Sequence, residues 1–325
     1  MKLFALLFAV VVTAESLTVK DHWEKFKTDF DKKYQNIAEE TRRFRIFQDK
    51  FQEIEEHNAR YTAGLETYYK GITRFSDLTK EETQGFFKKI HDDTTNWVPK
   101  TFETPANVPD QVDWREKAAV FPASDEGNCG ASYAFSVTGA LEGQNYLVNN
   151  ISVKLSDQQL VDCDHNNANC QGGNQSNSYN YIMQAGGLNS FDDYPFRKHP
   201  GDCRVVSKKY AAMKYTATVG ATEEQLRNAL AEIGPISVSI YGDWVLDYAG
   251  GIYTGSCVNL VQYLDLSALL VGYGVENGTK YWLLRGSFGR KWGEKGYFRL
   301  LKDANMCGVA LRASYPVLEP VKKTR

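Results

Sequence analysis

Apolar residues recur with a helical spacing in the first part of the chain and with a strand spacing in the last part. Trp23, Phe26 and Phe30 lie three and four residues apart, which predicts one apolar helix face. After about residue 210 the spacing shortens, and the apolar positions of Ile236 to Ile240 alternate at period two, as in a strand. We therefore predict an α+β chain, with a helical part followed by a β-rich part.

Capping residues and glycines mark the ends of several predicted elements. A central buried helix is predicted from Ser132 to about Asn149. A short helix is predicted within Leu155 to Asp162, where Ser156 offers its oxygen to the first turn. Thr222 to Ile233 predicts another helix, whose start suits a capping box. The predicted strands contain the runs YTATVG, LLVGYG, YWLLRGS and GYFRLL.

Two segments fall outside this periodic pattern. Met1 to Ala14 contains Lys2, an apolar run from Leu3 to Val12 and small residues at its end. This predicts a secretory signal peptide, with a buried N-terminal strand as the alternative. His91 to Pro109 gathers Asp, Thr, Asn and Pro, which predicts an exposed linker. We expect a secreted (extracellular) or lysosomal protein with no membrane span, because no other run is long enough.

The composition limits the classes of partner. The chain has 325 residues, 42% of them hydrophobic, and a formal net charge of −2. This length allows two modest cores, on the usual scale of roughly 100–200 residues per domain. The near-neutral charge gives no reason to invoke nucleic acid or an acidic membrane surface. We expect a monomer that needs no cofactor.

The chain contains six cysteines, an even number that suits three disulfides in the oxidising secretory pathway. Their order alone would allow about 15 pairings. A zinc site is the competing interpretation, but no pair has the C-x-x-C spacing, and we expect no metal. The cysteines are Cys129, Cys163, Cys170, Cys203, Cys257 and Cys307.

The stretch from Ser124 to Ser136 has the pattern of an active-site turn that runs into a helix. Gly127 and Gly130 break the approach, and Ser132 stands at the helix start. Unpaired backbone N–H groups and the helix dipole stabilise an anion at this position. A thiolate would be stabilised there, but the residue is a serine.

This stretch resembles the signature around the nucleophile of papain-like cysteine proteases, C-G-[SA]-C-[WY]. Cys129 to Ala131 and Tyr133 match the signature, and Ser132 falls on the nucleophile. The resemblance covers essentially all of Trp23 to Pro316. It implies a papain-like two-lobed fold, with a helical left lobe and a β-barrel-like right lobe, preceded by a helical propeptide domain.

The resemblance also implies how the chain is divided. Residues 1–14 would be the signal peptide, 15–105 an inhibitory propeptide and 106–325 the mature domain. Within the mature domain, the helical lobe would span about 115–215 and the β lobe about 216–318. Cleavage after the propeptide would need another protease if this chain cannot cut itself.

Two motifs carry the resemblance in the propeptide. Between Glu39 and Asn58, residues recur at three- and four-residue steps, which alone indicates an amphipathic helix with charge pairs. The same positions resemble the pattern E-x3-R-x3-F-x2-N-x3-I-x3-N of cathepsin L-like propeptides, with Lys50 replacing an asparagine. A second motif, G-x-N-x-F-x-D, follows with Thr73 replacing an asparagine. The matching residues are Glu39, Arg43, Phe47, Ile54, Asn58, Gly71, Phe75 and Asp77. The resemblance implies that the protein's own propeptide lies in the cleft and blocks it.

The same resemblance selects one disulfide pattern. It implies the pairs Cys129–Cys170, Cys163–Cys203 and Cys257–Cys307. Active relatives carry one further cysteine, the free nucleophile, and this chain lacks it.

Four catalytic positions are placed by the resemblance, and each holds a residue that does not suit its role. Ser132 is a weak nucleophile unless a base removes its proton. Leu266 stands at the position of the base and cannot move a proton, and Gly286 replaces the asparagine that orients the base. Glu126 replaces the glutamine that donates to the oxyanion, and an ionised carboxylate has no donor. We therefore predict a homologue that has lost peptidase activity.

Substrate-binding positions can be assigned in the same way. Gly172 and Gly173, in the run CQGG, resemble the wall along which a bound peptide backbone lies. A plain disulfide-anchored turn explains that run equally well. Asn174 and Gln175 follow where active relatives usually carry apolar side chains of the main specificity pocket, which predicts weaker capture of bulky apolar side chains. Trp292 resembles the second tryptophan of the family's site.

Three functional hypotheses remain open. In the first, the cleft binds peptides, protease inhibitors or related proteases without turnover. In the second, Ser132 hydrolyses peptides with Glu126 or Asp265 as the base. In the third, the propeptide inhibits active relatives. Sequons at Asn150, Asn174 and Asn277 are candidate glycosylation sites, and a glycan on Asn174 would crowd the cleft.

Overall fold

A computed structural model of the chain describes residues 17–84, 87, 98–104 and 107–320. The predicted signal peptide at 1–14 and the predicted start of the mature domain at Ala106 lie outside these residues. Within them, helices dominate the first part and strands the last part, so the predicted α+β order is confirmed.

The described chain begins with two amphipathic helices, α1 (Val19–Asp29) and α2 (Ile37–Thr62). The side chains of Thr18 and Asn36 cap their first turns by accepting hydrogen bonds from backbone N–H groups. The two helices meet through a cluster of buried aromatic rings. Its fully enclosed members are Trp23, Phe26 and Phe47. A short strand, β1 (Tyr68–Lys70), and a short helix, α3 (Lys80–Gln84), follow. We call this part, residues 17–87 where described, the N-terminal domain.

Three helices then build a second layer. After strands β2 (Val98–Lys100) and β3 (Val112–Asp113) come α4 (Ser132–Asn149), α5 (Asp157–Cys163) and α6 (Gln175–Ala185). The helix α4 has the bounds that the sequence predicts, and it is buried over most of its length, the polar residues Glu142, Gln144 and Asn145 included. In α5, Ser156 caps the first turn as predicted.

The remaining strands form the β lobe, and one helix, α7 (Glu223–Ile233), interrupts them. The strands are β4 (Met213–Val219), β5 (Ile236–Ile240), β6 (Tyr248–Tyr253), β7 (Leu266–Glu276), β8 (Thr279–Arg285), β9 (Tyr297–Leu301) and β10 (Ala313–Leu318). They are hydrogen-bonded in the order β1-β6-β9-β8-β7-β5-β10-β4-β2, with β3 beside β7. One apolar cluster fills the β lobe, and a separate one surrounds α4.

The N-terminal domain is attached to the β lobe through backbone pairing. Strand β1 runs antiparallel to β6, with Tyr68 opposite Gly251. The register brings the Lys50 and Lys70 ammonium groups to 3.5 and 3.2 Å from the carboxylate of Asp247. Lys50, which departs from the propeptide pattern, therefore contributes to this docking contact.

The predicted linker over residues 91–109 lies partly outside the described residues, at 91–97, 105 and 106. Val98–Lys100 is exposed as expected, but it is not an unstructured linker. Val98–Lys100 pairs in parallel with β4 and extends the sheet by one strand. Just beyond it, Phe102 is buried, and its backbone N–H and C=O bond the side-chain amide of Gln225. The open edge of β4 offers backbone partners to any extended segment beside it, a long-range effect that local composition does not report.

Candidate functional site

Ser132 is the first residue of α4 and faces the β lobe. Its Oγ accepts a hydrogen bond from the backbone N–H of Ser267, at 3.3 Å. Among the described residues this is the only hydrogen bond of the Ser132 side chain. The histidines of the helical lobe lie elsewhere: the ring of His199 bonds the carbonyl of Pro200, and the exposed His165 follows the end of α5. The described structure therefore brings no base to this hydroxyl.

The position predicted for the base is filled by apolar packing. Leu266, at the start of β7, is 2% exposed. Its side chain lies so close to Gly242 that a Cβ built on that glycine would come within 2.7 Å of the Leu266 Cβ. Phe87 of the N-terminal domain approaches the same point. Asp265, the neighbouring candidate base, accepts a hydrogen bond from the Gly242 N–H at 2.8 Å, and burial raises its pKa to about 7.

The position predicted for the orienting amide is enclosed by aromatic rings. A Cβ built on Gly286 would lie 3.2 Å from the Trp292 ring and 3.3 Å from the Phe288 ring. These two rings pack edge to face, with centroids 4.8 Å apart. A larger side chain at Gly286 would therefore require the rings to shift by a few tenths of an ångström.

Glu126 links the turn before α4 to the segment after β8. Its Oε2 accepts from the Ala131 N–H at 2.7 Å, and its Oε1 accepts from the Ser287 hydroxyl at 2.8 Å. Complete burial raises the pKa of this carboxyl to about 7, although Arg74 and both hydrogen bonds act in the opposite direction. Both oxygens are engaged by the fold, so the carboxyl is a structural group here.

Arg74 of the N-terminal domain covers this region. Its guanidinium pairs with Asp125 and stacks on Phe75 and Phe288, at 4.7 and 5.9 Å from the ring centroids. Lys198 binds the other oxygen of Asp125 at 2.8 Å. Burial opposes the ionisation of Asp125, but the two cations outweigh it and hold its pKa below the usual range.

We expect the Arg74→Gln variant to loosen the N-terminal domain. It loses an ion pair and a cation–π contact, together worth about 1 kcal/mol after solvent screening of the half-exposed Asp125. Limited proteolysis of the full chain should then release the N-terminal domain severalfold faster. The control is Arg60→Gln, which removes the ion pair with Glu66 inside the same domain. Equal release rates for the two variants would contradict this role of Arg74.

The predicted motif residues of the N-terminal domain hold that domain together. Arg43 binds Glu82 through two nitrogens and also the carbonyl of Asp77. Asn58 exchanges two hydrogen bonds with the backbone of Lys70, which fixes α2 against β1. The other members have equally local roles: Glu39 accepts from the Gln35 N–H, Phe47 and Ile54 are buried, Gly71 lies against Ala249, and Asp77 binds Lys32 and Tyr34.

The predicted substrate-binding residues are largely occupied by the fold. A Cβ built on Gly173 would meet the Asn167 side chain at 2.6 Å, and Gly172 has a φ of 101°. Asn174 is 8% exposed and caps α6 through a hydrogen bond from the Asn177 N–H. Trp292 donates to the carbonyl of Val245. The sequence singled out Gln175 only in passing. It missed Ser267, whose backbone N–H contacts Ser132, and Ser239, which lies opposite Ser267 on the next strand.

All six cysteines are paired, and the pairing implied by the resemblance is confirmed. Cys129–Cys170 joins the turn before α4 to the CQGG run, Cys163–Cys203 closes the helical lobe, and Cys257–Cys307 lies in the β lobe. The first disulfide holds the turn before α4 in place.

We expect glycosylation of Asn150 and Asn277 but not of Asn174. Asn150 ends α4 and Asn277 lies in the turn between β7 and β8, and both are exposed. Asn174 is buried and its oxygen is used as a helix cap. Peptide mapping after secretion from eukaryotic cells would check this, and a glycan on Asn174 would contradict it.

The described residues contain no group of three or more His, Cys, Asp or Glu side chains arranged for a metal ion. In the same part of the chain, no helix has the length and apolarity that a membrane crossing requires.

Comparison with known proteins defines the class of this chain. Residues 108–317 match the family described as papain family cysteine protease, and residues 23–83 match the cathepsin propeptide inhibitor domain. The chain belongs to the papain family of cysteine proteases, with an N-terminal propeptide domain.

Its relatives are cathepsin L-like. The chain is 37% identical to a cathepsin L-like proteinase of Phaedon cochleariae over 98% of this chain and 100% of the relative. It is also 37% identical to digestive cysteine proteinase 1 of Homarus americanus, with the same coverage. The structure of digestive procathepsin L2 proteinase from the larval midgut of Tenebrio molitor superposes with a TM-score of 0.87 at 36% identity, over 93% of this chain and 100% of that one. The predicted papain-like fold with a helical propeptide is thereby confirmed.

Proposed function

We propose that this cathepsin L-like protein acts by binding in its cleft and does not hydrolyse peptides. The observation that carries the proposal is the surrounding of Ser132. Its hydroxyl accepts one hydrogen bond from a backbone N–H, and an apolar side chain, Leu266, fills the place of the base. A serine without a base is a poor nucleophile. Peptides, protease inhibitors and related proteases are the partners that such a cleft fits, in the secretory pathway, outside the cell or in the lysosome.

The main alternative is an active peptidase that uses Ser132. It is favoured by the names of the relatives, which include digestive proteinases, and by the position of Ser132 at a helix N-terminus. Against it, both candidate bases accept hydrogen bonds from other groups: Glu126 from Ala131 and Ser287, and Asp265 from Gly242.

A second alternative places the function in the propeptide, as an inhibitor of active relatives. It is favoured by the match of residues 23–83 to the cathepsin propeptide inhibitor domain. Its test is the inhibition of an active cathepsin L-like enzyme by the full chain, compared with the Arg43→Ala variant, which loses the contacts to Glu82 and Asp77.

The proposal is tested with purified protein, before and after removal of the propeptide by an added protease that is then inactivated. A panel of fluorogenic peptides and a fluorophosphonate probe should show neither turnover nor labelling above the Ser132→Ala control. Turnover or labelling that is lost in Ser132→Ala would support the active peptidase instead.

A further inference from the structure

Small polar side chains lie between the helical lobe and the β lobe near Ser132. Ser136 of α4 and Ser237 of β5 share a hydrogen bond of 2.6 Å, and the Ser136 hydroxyl also donates to the carbonyl of Ala268 at 2.6 Å. This contact shows which face of β5 looks toward α4, because side chains alternate along a strand. Ser239, two residues further, lies on the same face as Ser237.

Ser239 has a direct neighbour on the next strand. It is paired in register with Ser267 of β7. The Ser239 N–H bonds the carbonyl of Arg312 on one side, and the Ser267 N–H bonds the Oγ of Ser132 on the other. The two serines therefore form a pair without hydrogen bonds between their backbones, the type in which side chains approach most closely. Both hydroxyls therefore lie on the face of the sheet that looks toward α4, and the backbone of Ser267 contacts Ser132 directly.

Gln175 adds a third polar group from the helical lobe. It is the first residue of α6, and its Nε2 donates to the carbonyl of Val238, the residue before Ser239, at 3.0 Å. Its Oε1 has no hydrogen-bond partner, and the same holds for the Oγ atoms of Ser239 and Ser267 within the described chain. All three residues are almost completely buried, at 0, 0 and 2% exposure. Buried polar groups are nearly always paired, so three orphaned groups in one place require an explanation.

We propose that Gln175, Ser239 and Ser267 form a subsite for a carboxamide side chain, that of asparagine or glutamine, of a peptide bound in the cleft. This inference rests on the proposed binding function and names the ligand chemistry. An amide NH2 donates to the Gln175 Oε1, and the amide oxygen accepts from the two serine hydroxyls. An aliphatic side chain leaves all three groups unpaired, and a carboxylate has no donor for Oε1. The subsite thus reverses the apolar preference of active relatives.

The N-terminal domain reaches the strand that carries Ser267. Phe87 lies beside Gly242 and Leu266, one residue from Ser267. The three polar groups are buried in the full chain, so we expect a peptide to bind only after the N-terminal domain is displaced.

The test measures equilibrium binding of fluorescently labelled, end-blocked tetrapeptides by anisotropy. The peptides differ at one position, which carries Gln, Asn, Leu or Glu. They are added to the full chain and to the chain nicked between residues 91 and 109 by an added protease. We expect the nicked chain to bind the Gln or Asn peptide at least about tenfold tighter than the Leu and Glu peptides.

Variants identify the groups responsible. Gln175→Met and Ser239→Ala should each weaken binding of the amide peptide and raise the relative affinity for Leu, with Ser267→Ala as an independent third variant. The control is Thr216→Val, which removes a buried, unpaired hydroxyl on β4 and should leave the order of peptides unchanged.

The outcomes separate the two proposals. A preference for Leu or Glu, or an order insensitive to all three substitutions, overturns the carboxamide subsite while binding without turnover stands. Cleavage of the peptides, detected by mass spectrometry and lost in Ser132→Ala, overturns the proposed function whatever the preference. Binding of none of the peptides to the nicked chain overturns both.

Discussion

The Ser132→Cys variant is expected to remain without detectable peptide hydrolysis, although it carries the nucleophile of the active family. A thiol becomes a strong nucleophile when a neighbouring base or cation stabilises the thiolate. Here the position of the base holds the buried Leu266, and within the described part of the chain the side chain of residue 132 has one hydrogen-bond partner, the backbone N–H of Ser267. A helix N-terminus alone favours the thiolate, but it cannot supply the proton that the leaving amine needs.

Turnover should appear only when the remaining positions are changed with it. We expect the variant Ser132→Cys, Glu126→Gln, Leu266→His, Gly286→Asn to hydrolyse fluorogenic peptides at least about 1,000-fold faster than Ser132→Cys alone, because the members of a catalytic group act as a unit. The matched control carries the last three changes with Ser132→Ala. Both variants are assayed after propeptide removal, with folding checked by circular dichroism.

A result of the opposite kind would be equally informative. Hydrolysis by Ser132→Cys alone would mean that Asp265 or Glu126 moves to act as a base, and the binding proposal would then fail. The weakest link in the four-fold variant is Gly286→Asn, since the rings of Phe288 and Trp292 enclose that position. A version that also carries Phe288→Trp tests whether this packing limits the rate.

The sequence predicted those parts of the protein that depend on local pattern. The bounds of α4 follow from an apolar-periodic segment after a glycine-rich turn, and the Ser156 cap follows from a polar residue before a helical run. The disulfides were implied by family resemblance rather than by spacing. Each of these features is decided within a few residues, or by a motif that survives in this chain.

Features set by long-range contacts could not be predicted. Glu126 has its role because Ala131 and Ser287 both donate to it, and residue 287 is far away in the sequence. The proposed carboxamide subsite depends on the register of β5 against β7, which pairs Ser239 with Ser267. A serine on a strand is unremarkable until the structure shows what lies opposite.

The second prediction with a large expected effect concerns buried carboxyl groups. Because of them, the free energy of unfolding should fall as the pH rises. Complete burial raises the pKa of Glu126 to about 7 and that of Glu142 to about 8, although Arg74 opposes this for Glu126 and Arg285 for Glu142. A carboxyl whose pKa is higher in the folded than in the unfolded chain favours folding while it is protonated. That contribution is fully present below the unfolded pKa near 4.5 and is lost as the pH rises through the folded value.

We therefore expect Glu126→Gln to stabilise the full chain at pH 8 by up to about 3 kcal/mol and to change it little at pH 4. A glutamine keeps an acceptor for the Ala131 N–H and offers a donor to the Ser287 oxygen, so the two hydrogen bonds of the carboxyl have replacements. Denaturant unfolding at both pH values measures the difference, with the exposed Glu116→Gln as the control. The expected gain comes from removing the ionisation of residue 126, so it should depend on pH. An equal effect at both pH values would contradict this. It would show that packing or hydrogen bonding, rather than the charge of Glu126, decides the stability of this link between the lobes.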